Sequence, residues 1–239
     1  MDCQRRQSAV IFLKNMTNKK NILIISPHPD DDVIGMGGTI VVKAHEGCNF
    51  TIVYVTNGGG SVKEGAYKDF SKEEIIKIRK LEAESSIQML LDNPHQVKQI
   101  FLDFNSSDLF ENPDLYIKEL SNILGAKKFD EIYIPYPEDR HPTHKAVAKL
   151  SLETIRAKDV EVQIFAYETW DSIPITEDTV YVDITPYYKR KLSAVSCHKS
   201  QCSITPYDEG ILAKNRYNAV YRAINTKNKM EYAEVFLAL

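Results

Sequence analysis

The segment Ser26-Pro27-His28-Pro29-Asp30-Asp31-Asp32 follows directly on the apolar run Asn21-Ile22-Leu23-Ile24-Ile25. That run is rich in β-branched side chains and reads as a buried strand. Two prolines then end it, because proline cannot donate to a central ladder. One imidazole and three carboxylates are therefore delivered together at the carboxyl end of a strand, where open α/β sheets bind their ligands. Acceptors packed this densely repel one another unless a cation or a set of donors sits among them. A divalent metal is the simplest such cation. The competing reading of the three aspartates is a helix N-cap, since carboxylates favour the positive end of a helix dipole.

Strand-like and helix-like segments alternate from there on. A helix is expected over Val33 to Glu46, closed at Gly47, with Gly35, Gly37 and Gly38 in its first turns. Small residues at such positions imply close approach of another group to the backbone. Phe50–Val55 reads as the second strand, followed by the turn Thr56-Asn57-Gly58-Gly59-Gly60. Ser71 and Glu74 form a capping-box signature for a helix to about Leu91. Further strands are expected at Val97–Leu102, Asp130–Ile134, Val160–Tyr167 and Thr179–Ile184. Helices are expected from Pro113, Pro142 and Pro186 and over Asp208–Ala223, with Ala233–Leu237 either a last strand or coil. This alternation predicts an α/β, Rossmann-like single domain with a mostly parallel sheet and helices on both faces.

A chain of 239 residues with 43% hydrophobic and 26% charged residues has the apolar material for a full core. No linker divides it, so residues 1–20 are read as an N-terminal extension and residues 21–239 as one domain. Met16 is an alternative start. A net charge of −3 gives no electrostatic case for nucleic acid or an anionic membrane as partner. Arg5 and Arg6 precede Ala9–Leu13, but that apolar run is too short for a signal-peptide core and Lys14 interrupts it. No segment approaches the length that spans a bilayer. A cytoplasmic protein without membrane insertion is expected. Cys3, Cys48, Cys197 and Cys202 have neither C-x-x-C nor zinc-finger spacing and read as free thiols, with a Cys197–Cys202 bridge the alternative.

A second chemistry-bearing loop, Asp139-Arg140-His141-Pro142-Thr143-His144, follows the fourth strand. Parallel strands bring their carboxyl ends to one edge, so this loop and the His28 loop can meet. Two imidazoles, a carboxylate and an open position make a catalytic zinc site, although the same ligands suit Fe(II). His28 and Asp31 can both reach one ion, which leaves Asp30 free to act on a water. His45, His95 and His198 have weaker claims, and the first two read as surface residues.

The motifs Pro27-His28-Pro29-Asp30-Asp31, Gly35-Met36-Gly37-Gly38-Thr39 and His141-x-x-His144 resemble those of the PIG-L/LmbE family of zinc-dependent N-acetylglucosaminyl deacetylases. Arg79, Lys191, Ser200-Gln201 and Tyr232–Phe236 add to the likeness, which spans residues from about 21 to 236. The Gly-Met-Gly-Gly-Thr continuation is most similar to the diacetylchitobiose deacetylase branch. The resemblance implies that His28, Asp31 and His144 bind zinc and that Asp30 is the general base. It implies that His141 stabilises the oxyanion or protonates the leaving amine, and that Arg79 and Asn57 contact substrate. The partner implied is a small N-acetylated sugar or glycoconjugate, and a homo-oligomer is expected. The alternatives are an amidase acting on another sugar-linked amide, such as a thiol conjugate, and a non-catalytic sugar- or nucleotide-binding protein.

One position departs from the family pattern. Thr143 stands where the family commonly has aspartate between the two histidines. A hydroxyl can orient an imidazole but cannot stabilise an imidazolium by charge. Glu138 and Asp139 are the nearby carboxylates that could substitute.

Overall fold

In the first strand, β1 (Asn21–Ser26), alternate residues enter different cores: Ile22 and Ile24 join one apolar cluster, Leu23 and Ile25 the other. A strand with period two and apolar residues on both faces belongs at the centre of a sheet covered by helices on both sides. The computed structural model describes residues 19–60, 65–223 and 230–239. Most of the expected extension over residues 1–20, with Cys3 and Met16, lies outside them.

After β1 come α1 (Asp31–His45), β2 (Asn49–Thr56), α2 (Lys72–Leu90), β3 (Val97–Phe104) and the short α3 (Asp108–Glu111). Then follow α4 (Pro113–Ala126), β4 (Glu131–Pro135), α5 (Pro142–Ala157), β5 (Gln163–Tyr167) and β6 (Thr179–Asp183). The chain closes with α6 (Tyr188–Val195), α7 (Lys199–Cys202), α8 (Tyr207–Tyr217), a π-helical turn at Asn218–Arg222, and β7 (Ala233–Ala238). The sheet order is β3-β2-β1-β4-β5-β7-β6. β1 to β5 are mutually parallel, and β7 runs antiparallel between β5 and β6. The fold is therefore the α/β, mostly parallel arrangement expected. No helix of the described residues is long and apolar enough to cross a membrane.

Local boundaries differ from the sequence reading in three places. Val160–Val162 precede β5 rather than form it, because α5 runs to Ala157 and Asp159 takes a left-handed φ of 49°. The helix expected from Pro186 starts at Tyr188. The Asp208–Ala223 helix changes at Asn218 into the π-turn. Cys48, Cys197 and Cys202 are free thiols, so no bridge joins the latter two.

Chain direction reverses across the sheet between β1 and β4. From β1 the chain winds outward through β2 to β3, and then returns to β4 on the other side of β1, with Ile22 paired to Glu131 and Ile24 to Tyr133. This is a topological switch point, whose carboxyl-end crevice is the general ligand site of such sheets. The His28 loop leaves β1 there and the His141 loop leaves β4.

The glycine motif serves packing at that crevice. A Cβ on Gly35 would lie 2.2 Å from the Tyr167 ring, and one on Gly38 would lie 2.5 Å from Ile184. Met36 has non-helical backbone angles that interrupt α1. Glu234 of β7 fills the gap: its carboxylate accepts the Gly38 and Thr39 N–H groups at 2.9 and 2.7 Å and pairs with buried Lys191 at 2.6 Å. The space that a pyrophosphate would need beside these glycines is filled by protein. That removes the basis of the nucleotide-binding alternative.

Candidate active site

The three aspartates at the start of α1 are not side-chain caps. Asp30 holds the N-cap position without a side-chain cap bond, and its Oδ1 pairs with Arg79 Nη2 at 2.9 Å. Asp31 Oδ2 accepts the backbone N–H of His28 at 2.9 Å, and Asp32 Oδ2 accepts the Tyr54 hydroxyl at 2.9 Å. Each carboxylate has a separate task, set by the tight turn after β1.

Three side-chain atoms from the two loops converge. His28 Nδ1 lies 2.9 Å from Asp31 Oδ2 and 3.2 Å from His144 Nε2, and the remaining edge, Asp31 Oδ2 to His144 Nε2, is 3.1 Å. His144 is fully buried in the first turn of α5, which Pro142 opens at a position that suits its fixed φ. Burial raises Asp31, but the charges and hydrogen bonds of His144 and His28 outweigh it and hold the carboxyl well below its usual range. Burial lowers His144, but Asp31 and Asp139 outweigh it and push the imidazole up to about 10. His141 is the third imidazole of the group. One nitrogen from each of His28, His141 and His144 lies within 4.8 Å of the others, close enough for a shared divalent ion.

His141 sits at the N-cap of α5 with its ring 5.0 Å from that of His28 and 4.7 Å from that of His144. Burial first, then the neighbouring imidazoles, push it down to about 4. Its Nδ1 is buried and has no hydrogen-bond partner among the described residues. Of the two carboxylates that could offset Thr143, Glu138 points to solvent beside Lys145 and Asp139 is fully buried behind the histidines. Asp139 Oδ1 accepts the His141 backbone N–H at 2.8 Å, and its Oδ2 lies 3.7 Å from His144 Nδ1, an ion-pair distance longer than a hydrogen bond.

Arg79 is only 2% exposed, not the surface charge that a helix position first suggests. Its guanidinium lies against Gly58, whose carbonyl accepts from Nη1 at 3.2 Å; a Cβ there would lie 2.5 Å from the guanidinium, and the φ of 67° itself favours glycine. Asn57 is occupied by its own turn and by the end of β3. Its amide donates to the Asp103 carbonyl at 3.2 Å, its oxygen accepts from Gly59 at 3.0 Å, and it is not among the residues lining the cleft. That cleft, about 210 Å³, is lined by His28, Asp30, Asp31, Arg79 and His141 together with Thr169, Trp170, Gln201, Ile204 and Tyr207. From the sequence, Trp170 is one of several aromatics, with Tyr67, Phe70, Tyr136 and Tyr167, that could line a sugar pocket or pack in the core; of these Trp170 lines the cleft. Its place after β5, a third strand ending at this edge, was the available signal.

Comparison with known proteins bears on this geometry. The family described as PIG-L, GlcNAc-PI de-N-acetylase, matches residues 23–155, which carry both histidine loops. The chain belongs to this family. Among curated relatives of the PIG-L chain, a Bacillus cereus protein named "Probable N-acetyl-alpha-D-glucosaminyl L-malate deacetylase 2" is 24% identical over 221 residues. That match covers 90% of this chain and 98% of the relative. The diacetylchitobiose deacetylase of Thermococcus kodakarensis is 28% identical, over 76% of this chain and 70% of its own. The solved N,N'-diacetylchitobiose deacetylase of Pyrococcus horikoshii, in complex with its inhibitor MPG, superposes with a TM-score of 0.76 at 25% identity. It covers 92% of this chain and 84% of its own. A His-rich candidate metal site at the switch point, in a PIG-L chain, makes this protein a metal-dependent hydrolase.

Proposed function

We propose that the protein removes the acetyl group from an N-acetylated amino sugar of the N-acetylglucosamine type, with zinc held by His28, Asp31 and His144. The observation that carries this reading is the triangle of donor atoms with edges of 2.9, 3.1 and 3.2 Å. Ligands about 2.0–2.1 Å from a tetrahedral zinc ion stand roughly 3.3 Å apart, so this set fits the ion with slight expansion. The set with Asp31 is tighter than the three-histidine group. It adds a negative charge to offset the cation, and it leaves one coordination position open, the hallmark of catalytic rather than structural sites. Zinc bound there supplies a water of lowered pKa and polarises the amide carbonyl.

The protein's own groups carry the proton steps. Asp30, in the cleft beside the ligands and steadied by Arg79, takes the proton as the water oxygen bonds to the acyl carbon. His141, facing the same point from the other loop, donates a hydrogen bond to the oxygen that gains charge and then passes that one proton to the leaving nitrogen. The C–N bond breaks, and the products are acetate and the free amino sugar. Asp139 holds the His141 backbone and faces the far side of His144, as carboxylates behind ligating histidines commonly do. Both the Bacillus and Thermococcus relatives are named as deacetylases of glucosaminyl or chitobiose compounds, which supports the substrate class.

Amine release from a panel of N-acetylated sugars by zinc-loaded protein tests the reading. Asp30→Asn should keep the metal and lose about 10²–10⁴-fold in rate, because an amide cannot accept the proton. Near-normal turnover in that variant would reject the mechanism.

A further inference from the structure

Trp170 is 42% exposed at the cleft rim, yet the backbone around it is held by side-chain hydrogen bonds from both directions. Asp139 Oδ2 accepts the Trp170 and Asp171 N–H groups at 3.1 and 3.4 Å. Arg140 clamps the Asp171 carboxylate, with Nε donating to Oδ1 at 2.7 Å. From the opposite side, Lys214 Nζ donates to the Thr169 carbonyl at 2.9 Å and the Asp171 carbonyl at 3.3 Å. Glu168 closes the loop by accepting the Ile173 N–H at 2.7 Å while paired with Arg222. Charged groups thus fix a loop whose largest side chain is left facing solvent. Ordering a segment costs conformational entropy, and the indole returns little of it by burial in the protein.

The orientation of the ring is equally specific. The indole lies nearly parallel to the His141 imidazole, 16° between planes and 6.4 Å between centroids, and Tyr207 meets it edge-on at 5.8 Å. Next to it, Thr169 lines the cleft, and its Oγ1 is buried without a hydrogen-bond partner among the described residues. A buried hydroxyl left unpaired costs free energy that a polar ligand can recover. An aromatic face beside an unspent hydroxyl matches a pyranose, which offers an apolar C–H face and a rim of hydroxyl groups.

Building on the deacetylase reading above, we propose that Trp170 and Thr169 form the subsite for the sugar ring that carries the acetamido group. Trp170 is the stacking platform and Thr169 a hydroxyl partner. The indole and the His141 imidazole are 6.4 Å apart between centroids, so a ring bound against Trp170 lies next to His141. The cleft is smaller than the roughly 300–1,000 Å³ of most drug-sized ligand sites. It has room for one ring, and the remainder of a glycoside lies outside. Trp170 consequently determines a preference for cyclic over acyclic N-acetyl compounds.

Trp170 is the single tryptophan of the chain, so intrinsic emission reports on this site alone. The full-length protein, with and without added zinc, is titrated with N-acetylglucosamine, its methyl glycoside and the acyclic amide N-acetylethanolamine. The sugars should give a saturable blue shift or quench and the acyclic amide none. Trp170→Ala should raise KM for the sugars at least roughly tenfold with little change in kcat. Trp170→Phe should recover much of that loss, and the acyclic amide should lose less than the sugars in both variants. A saturable emission response without any deacetylation would sustain the subsite and reject the proposed reaction. Deacetylation with no emission change at saturating sugar, and an unaltered KM in Trp170→Ala, would overturn the subsite and leave the reaction standing. An equal loss on cyclic and acyclic substrates would also overturn it, since that marks a merely structural role.

Discussion

Asp139 and His144 face each other across 3.7 Å, carboxylate Oδ2 to imidazole Nδ1, both fully buried. The same carboxylate group binds the His141 backbone and the Trp170 loop, so one side chain ties the two loops of the cleft together. Asp139→Asn keeps the shape and removes the charge. Metal affinity should fall about 10–100-fold, the usual effect of losing a carboxylate behind a ligating histidine. Competition with a chromogenic chelator measures it. An unchanged affinity would show that Asp139 serves only the loop backbone.

Thr143 offers a second test. The His141 Nδ1 is buried without a partner among the described residues, and Asp139 reaches the His141 backbone rather than its ring. A carboxylate introduced by Thr143→Asp favours the protonated imidazole and raises its pKa. Where the alkaline limb of the kcat/KM profile reports the ionisation of His141, it should therefore move to higher pH, and His141→Ala should abolish the movement. A fixed limb in a well-folded, metal-replete Thr143→Asp protein would contradict the role given to this position.

Stability has its own charged centre away from the cleft. Glu131, buried in β4, pairs with Lys20 and Lys43 at 2.7 Å each and accepts the Tyr133 hydroxyl at 2.9 Å. Burial raises this carboxyl, but Lys43 and Lys20 outweigh burial and leave it below the ordinary glutamate value. A depressed carboxyl contributes stability that is full above its unfolded pKa, about 4.3, and is lost as pH falls through the folded value. Glu131→Gln strands the buried Lys43, at a cost of about 3–5 kcal/mol in denaturant unfolding near pH 6. The gap between the two proteins should narrow below about pH 4. Equal stability at pH 6 would refute this assignment.

Much of this architecture was legible in the sequence because its signals are local. The β-branched run before Pro27 and the loops bearing His28 and His144 identified two strand ends, and parallel topology brought them together. The capping box at Ser71 and Glu74 formed as read. The insertion of β7 between β5 and β6 could not be read locally, since strand pairing is decided across the whole sheet. Nor could the burial of Arg79, because a helix arginine is ordinarily solvated and only the Gly58 turn makes room for it. Trp170 could be read as a pocket aromatic or a core one, and only the placement of its loop decides between them.

The ligand set is the centre of the account, and the metal content of two purified variants tests it most directly. Wild-type protein should carry about one equivalent of divalent metal, as expected for a single catalytic site. Asp31→Ala should lose it, while His141→Ala should retain it and lose activity. Retention in Asp31→Ala together with loss in His141→Ala would show that the three histidines hold the ion, and would contradict the mechanism built on Asp31.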